Sequence, residues 1–256
     1  MTRKVLCPKL PKKGEMSEIP KAEGQHLTQV LRLRNGEPIE AIDGKGNRVK
    51  GNLVIKDYGY FIEASADIET INEIELTVPP IVLEIAVLKG EAMEWVIEKC
   101  VELGVRKVVP LETSFTVVQT EKKGRDVFQS RWQRIADQAL KQCGRLSSLE
   151  VAEPIRLETY IQNNPASVQS PRFFAAERSK DTAPELLTRL RYLEPNTESL
   201  HILIGPEGGF SFEEIEFLSK QANPVSLGPL ILRAETAAIM SASLATSFFR
   251  TQILTK

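Results

Sequence analysis

The residues with the most chemical content lie in "HILIGPEGGFSFEEIE", residues 201–216. A β-like run from His201 to Ile204 meets Gly205, Pro206, Glu207, Gly208 and Gly209, and a helix start follows at Ser211. Glycine-rich turns between a strand and a helix often cradle phosphates, because open amides and the helix dipole face the anion. This turn carries a carboxylate, Glu207, in its middle. Ser211-Phe212-Glu213-Glu214 also has the form of a capping box, which fills the positive end of the helix with the protein's own acids. Glu207, Glu213 and Glu214 would repel a phosphate, and neither GxxxxGKS/T nor GxGxxG occurs in the chain. What remains is a tight turn without a ligand, or a site for something other than phosphate.

A second stretch, "VSLGPLILRAETAAIMSASLATSFF" from Val225 to Phe249, bears on that choice. A strand ends at Leu227 and Gly228-Pro229 turns the chain. Leu230, Ile231 and Leu232 then follow in a loop. Leaving them wet rather than buried costs roughly 1.5–3 kcal/mol each. Either they plug the core or they line a pocket for a flat group such as an adenine. The helix after them is rich in small residues, Ala234, Ala237, Ala238, Ser241, Ala242, Ser243 and Ala245, which suits close core packing or a subunit interface.

The chain that must position these loops has 256 residues, enough for one large domain or two unequal ones. Its 42% hydrophobic and 26% charged content is that of a globular protein. No apolar run reaches the ~18–20 residues of a membrane span, and the basic opening "MTRKVLCPKLPKKGEM" lacks the apolar core of a signal peptide. A cytoplasmic protein is therefore expected. Cys7, Cys100 and Cys143 contain no CxxC and fit free thiols in a reducing compartment. With only His26 and His201, no histidine metal site is expected. Charge is unevenly spread. Residues 1–56 carry twelve bases against six acids, a net of +6, which leaves −7 for the rest of a chain whose total is −1. A basic unit on an acidic body suits an anionic partner such as nucleic acid, or else is a solvated face.

The first ~75 residues read as short strands between turns at Asn35-Gly36, Asp43-Gly44 and 57–59, with strands at Pro38–Ile42, Arg48–Lys56 and Tyr60–Ala64. That spacing suggests a small β-barrel. One helical piece, Gly24–Leu33, would put Leu27, Val30 and Leu31 on one face. A linker is expected over Glu69–Pro80. Beyond it the pattern alternates: strands at Ile81–Leu88, Val105–Leu111, Arg172–Ala176, Leu200–Ile204 and Pro224–Leu227, and helices at Glu91–Leu103, Asp126–Cys143, Ser211–Gln221 and Ala234–Gln252. The alternation predicts an α/β domain with a parallel sheet covered by helices.

Together, "ILIGPEGG" and "LGPLILRAET" resemble the signature of the SPOUT class of RNA methyltransferases. The chain is similar, more narrowly, to the 16S ribosomal RNA uridine N3-methyltransferase family (RsmE). "HLTQVLRLRNGE", "LKGEAMEWVIEKCVELGV", "RWQRIADQALKQCGR" and the glutamate of "FFAAE" fit the same family, from His26 to Thr236. The resemblance implies a PUA-like β-barrel RNA-binding domain over 1–74 and a SPOUT methyltransferase domain with a deep trefoil knot over 75–256. It also implies S-adenosylmethionine in the knot, a homodimer, and 16S ribosomal RNA or the assembled small subunit as partner. The opening departs from the family's usual "R-x-F/Y" start, so no first strand is assigned there.

By that resemblance the cofactor residues are Leu203, Ile204, Gly205, Pro206, Glu207 and Gly209, with Leu227, Gly228, Leu230, Leu232, Arg233 and Thr236 from the second loop. Glycine lets backbone amides approach adenine and ribose, and the leucines supply apolar walls. Uridine N3 carries a proton at neutral pH, so attack on a sulfonium methyl needs a base or an anion-stabilising group. Arg145, Glu177 and Arg233 are the candidates; their other readings are a helix-end charge, an ion pair and a salt bridge to Glu235. Arg32, Arg34, Arg48 and Lys50 are candidate RNA phosphate contacts or else solvated charges. Trp132 is expected in the core and His201 in a structural role. Ribose 2′-O-methylation and a non-catalytic assembly factor are the rival functions.

Overall fold

A computed structural model describes residues 3–70, 79–176 and 183–254. The chain divides into two compact units, Met1–Glu73 with Asp137–Ser148, and Ile74–Ala136 with Leu149–Lys256.

The first unit has strands β1 (Arg3–Leu6), β2 (Met16–Ile19), β3 (Pro38–Ile42), β4 (Asn47–Lys56), β5 (Gly59–Ala64) and β6 (Glu69–Thr70), and the short helix α1 (Lys21–Gln25). They form one sheet in the order β1-β3-β4-β5-β2, with β6 on β4. All pairs are antiparallel except β1 with β3. β4 alternates, burying Val49, Gly51 and Leu53 while Lys50 and Asn52 face water, which is the period of a half-buried strand. Val5, Ile19, Leu27, Ile39, Leu53 and Ile62 meet in the core. The end of the helix Arg125–Cys143 is tied into this unit, where Lys141 Nζ donates to Glu23 Oε1 at 2.6 Å and Ser148 N donates to Gly44 O at 2.8 Å.

The expected helix over 24–33 is a different object. α1 runs into a π-helical turn, His26–Val30, closed by Leu31 N donating to His26 O at 3.0 Å. The wider turn advances less per residue, so Leu27 is buried while Val30 points to solvent rather than sharing its face. Arg32 then stops the helix with φ +58, the left-handed region that favours glycine.

The second unit is a parallel sheet with helices. Its strands are β7 (Ile81–Ala86), β8 (Lys107–Glu112), β9 (Glu150–Val151), β10 (Ile155–Arg156), β11 (Arg172–Ala175), β12 (Leu200–Ile204) and β13 (Asn223–Val225). Their order is β10-β8-β7-β12-β11-β13, with β9 on β8, and every pairing is parallel. The helices are α2 (Glu91–Leu103), α3 (Thr120–Lys123), α4 (Arg125–Cys143), α5 (Leu157–Asn163), α6 (Leu186–Leu190), α7 (Phe212–Ser219) and α8 (Ala234–Leu254). All six residues of β7 are buried, as in a strand covered on both faces. Trp132 on α4 is buried. α8 packs on α2, α6, β7 and β12. Its small face, Ala238, Ser241, Ala242 and Ala245, is consumed inside the chain. The Ser241 hydroxyl donates back to Ala237 O at 2.7 Å, and Thr246 Oγ1 reaches Leu103 O at 2.9 Å.

Candidate active site

Both loops leave the carboxyl ends of strands of this parallel sheet, where ligands of α/β folds bind. β12 releases Gly205–Gly209, which turns with Gly209 N donating to Pro206 O at 2.9 Å. The turn is held from below by a ring: a Cβ on Gly205 would stand 3.1 Å from the ring of Phe210. α7 opens with the expected capping box. Ser211 N donates to Glu214 Oε2 at 2.8 Å, and Glu214 N donates to Ser211 Oγ at 3.2 Å. The third acid of this corner, Glu213, is also held by the helix start. Its own backbone amide, then the Ser211 hydroxyl, keep its carboxyl below the usual range. Glu207 stays exposed, its Oε1 accepting from Lys89 N at 3.3 Å.

The second loop follows β13, which begins one residue earlier and ends two residues earlier than the strand expected at Pro224–Leu227. Ser226 N donates to Pro184 O at 3.0 Å, Leu186 N donates to Ser226 O at 3.0 Å, and Gly228 N donates to Ser226 Oγ at 3.2 Å. Gly228 has φ +114, so any side chain there would strain the turn. Leu230 and Ile231 are 75% and 67% exposed, so these residues do not plug the core. Arg233 O accepts from Ala237 N at 2.9 Å, which makes Arg233 the residue that starts α8.

The two loops enclose a cleft of about 660 Å³. It is lined by Ile204, Gly205, Pro206, Glu207 and Gly209 from the first loop and by Leu227, Gly228, Leu230, Leu232 and Arg233 from the second. Two expected residues are not in that lining. Leu203 is fully buried in the core beside Phe174 and Phe210, and Thr236 points to solvent from the first turn of α8. Arg145 is likewise absent from that lining; within the first unit it is buried, and its Nε donates to Ser147 Oγ at 3.1 Å. Glu177 lies outside the described residues. Ile231 lines the cleft beside Leu230 and Leu232, as the apolar loop suggested, and Gly208 and Glu235 join it from within the two loops; sequence reasoning missed Ala92 of α2 and residues 174–176 at the end of β11. "FFAAE" carried a signal for the β11 residues, since they end a strand beside the glycine loop; Ala92 carried none.

Of the four candidate RNA contacts, Arg32, Arg34 and Lys50 are exposed in the first unit. Arg48 is engaged in its own sheet. Its Nε and Nη2 donate to Glu69 Oε2 at 3.0 and 2.8 Å, with Glu40 3.8 Å away. His201 has the structural role expected of it, its Nδ1 2.7 Å from Glu84 Oε1.

The lining mixes apolar walls with two acids, Glu207 and Glu235, and one base, Arg233. That set suits a ligand with a flat apolar ring and a cationic centre, and opposes a phosphate. A parallel α/β unit with such a cleft at its strand ends, preceded by a β unit whose first 56 residues are net basic, defines a class. Residues 75–246 match the family model of the RNA methyltransferase domain, and residues 19–57 match that of the RNA methyltransferase PUA domain. The chain belongs to the RNA methyltransferases, and among them to the ribosomal RNA small subunit methyltransferase E family. The protein of that name from Synechocystis is 31% identical over 225 residues, covering 84% of this chain and 68% of its own. Its counterpart from Bacillus subtilis is 29% identical, covering 86% of each chain. Among solved structures, a methyltransferase from Legionella pneumophila with bound SAM superposes at TM-score 0.84 and 29% identity, covering 96% of this chain and 98% of its own. The Neisseria gonorrhoeae methyltransferase E shares the fold, with TM-score 0.80 at 24% identity, covering 97% of this chain and 98% of its own.

Proposed function

We propose that this protein transfers a methyl group from S-adenosylmethionine to N3 of a specific uridine in 16S ribosomal RNA. The observation that carries the reading is the meeting of the two loops in one cleft with apolar walls and two acids. When bound there, S-adenosylmethionine supplies the electrophilic methyl on its sulfonium. Leu227, Leu230 and Leu232 would wall its ring, and the amides around Gly205 and Gly228 would bond its polar edge. Glu207 and Glu235 favour a cation in the cleft. Solvent base would take the N3 proton, and Arg233 at the cleft would stabilise the uracil anion that results. Most of the remaining rate comes from holding nucleophile and methyl in line.

The knotted threading of the second unit, a homodimer and a cytoplasmic location belong to the same proposal. Trp95 on α2 and Met240 on α8, both exposed, support a second copy against these helices. Among the described residues no helix is long and apolar enough to cross a membrane. The test is transfer of labelled methyl to small subunits from cells lacking the gene, followed by nucleoside mapping. Label at uridine N3 is expected. Label on a ribose, or none from protein that binds the cofactor, would overturn the reading.

The domain over 1–74 is assigned to RNA binding through Arg32, Arg34 and Lys50, with Arg48 contributing less because Glu69 holds it. Arg32 offers a discriminating case. A glycine relieves the left-handed backbone at a gain of about 1 kcal/mol but removes a phosphate contact. Arg32→Gly is therefore expected to melt higher than the parent yet bind RNA more weakly, with a salt slope reduced by about 1. Calorimetry and binding titrations at several salt concentrations check both halves. Unchanged RNA affinity in the more stable variant would remove Arg32 from the interface.

A further inference from the structure

The loop after β8 carries an aromatic side chain that the cofactor site does not use. Phe115 is 45% exposed and lines no part of the cleft. Yet it lies against the glycine loop: a Cβ on Gly208 would stand 3.3 Å from Phe115 Cβ and 3.7 Å from its ring. Gly208 lines the cleft, so the phenylalanine sits at its rim. The absence of a side chain at 208 is what lets the ring come this close.

The backbone under Phe115 is fixed on both sides. Thr113 N donates to Thr116 Oγ1 at 3.0 Å, and Thr116 N donates to Thr113 O at 3.0 Å. Ser114 N donates to Glu214 Oε1 at 2.7 Å. The other oxygen of this carboxylate accepts from Ser211 N. Glu214 is buried, so one carboxylate joins the Phe115 turn to the start of α7 and thereby to the glycine loop. A turn held this way has little backbone freedom left to lose on binding, the condition under which an aromatic contact gains most.

We propose that Phe115 is an RNA-binding residue, stacking on a nucleobase presented unpaired at the mouth of the methyl-donor cleft. The proposal rests on the methyl-transfer reading for what the cleft holds. Single-stranded bases are bound by stacking on aromatic faces, and a ring at the rim of the cleft would both capture and orient the splayed nucleotide. An exposed aliphatic chain could not supply that face. The neighbouring residues, Thr113, Ser114 and Thr116, carry no charge and leave the ring open to a base rather than to phosphate.

The test compares Phe115→Ala with Phe115→Tyr in methyl transfer to small subunits at saturating S-adenosylmethionine. Phe115→Ala is expected to raise KM for the subunit by about tenfold to a hundredfold, while Phe115→Tyr stays within about threefold of the parent. The Kd for S-adenosylmethionine, from calorimetry, is expected to match the parent in both. A parental KM in Phe115→Ala, or equal damage in both variants, would overturn the proposal. So would a parallel loss of cofactor affinity, which would make the ring part of the cofactor wall. Conversion to a smaller species by light scattering would make it a contact between copies and would also overturn it. If the parent transfers no methyl at all, the methyl-transfer reading fails separately. Binding of a labelled ribosomal RNA fragment then decides Phe115, with weaker binding by Phe115→Ala expected and equal binding overturning.

Discussion

Arg172→Met is expected to destabilise the second unit by about 3–5 kcal/mol. Glu84 sits in the middle of β7 with no exposed surface, and Arg172 starts β11 almost as deeply buried. Nε of Arg172 donates to one carboxylate oxygen at 2.7 Å and Nη2 to the other at 3.0 Å. Nη2 also donates to Asn164 O at 2.8 Å, and the guanidinium lies 5.9 Å from the centre of the Tyr160 ring. Burial, then the Glu84 charge, pushes the Tyr160 hydroxyl far up, so it remains protonated beside the pair. On the other side, His201 Nδ1 meets Glu84 at 2.7 Å and its Nε2 meets Ser199 Oγ at 3.1 Å. Methionine fills the volume but leaves a desolvated carboxylate without its cation, still facing His201 and the Tyr160 hydroxyl. Replacing both members, Glu84→Leu with Arg172→Met, removes the stranded charge and is expected to recover most of the loss. Urea unfolding followed by tryptophan fluorescence measures it, and heating should show a melting point lower by about 10 °C for the single variant. A single variant as stable as the parent, or a double variant no better than the single, would refute this account.

That cluster also marks the limit of what the sequence discloses. Leu200–Ile204, Pro38–Ile42 and Glu91–Leu103 match the expected bounds because each has a local signal: an apolar run, an alternation, or a helical stripe between glycines. Glu84 has none. It interrupts an apolar run, and its partners Arg172 and His201 lie 88 and 117 residues away. β1 and β2 failed for a related reason. Each is four residues long and offers only two apolar side chains, and only pairing with β3 and β5 makes them strands. The π-helical turn at His26–Val30 has the composition of an α-helix, and its register shift follows from where Leu27 must be buried.

In the site, glycines made both loops legible, because a residue that tolerates φ +114 or a close ring contact is visible as a letter. Which neighbours of those glycines face the cleft was less visible. Leu203 and Ile204 look alike in sequence, but only Ile204 reaches the lining. Arg145 read as a catalytic candidate or else a helix-end charge, and no spacing announced its burial beside Ser147. The capping box predicted at Ser211 was correct, and it proved to do more than cap, because Glu214 also fixes the turn carrying Phe115.

Arg233→Ala is expected to lower kcat for methyl transfer by about a hundredfold to a thousandfold, with little change in the Kd for S-adenosylmethionine. Arg233 is the one base among the described lining residues, and it stands at the start of α8 facing the cleft. Its guanidinium does not deprotonate in proteins and so cannot take the N3 proton. What it can do is stabilise the uracil anion as that proton leaves, an interaction stronger in the transition state than before it. Removing such a contact lowers kcat and kcat/KM together. Arg233→Lys keeps a charge but loses the planar fork, and an intermediate rate is expected. Without the guanidinium, the rate depends more on anion formed by solvent base, so the deficit of Arg233→Ala should narrow as pH rises. Single-turnover rates across alkaline pH, beside cofactor titrations at each pH, separate the two roles. A fall in cofactor affinity with an intact single-turnover rate would make Arg233 a cofactor ligand and return the search for the catalytic group to other residues of the cleft.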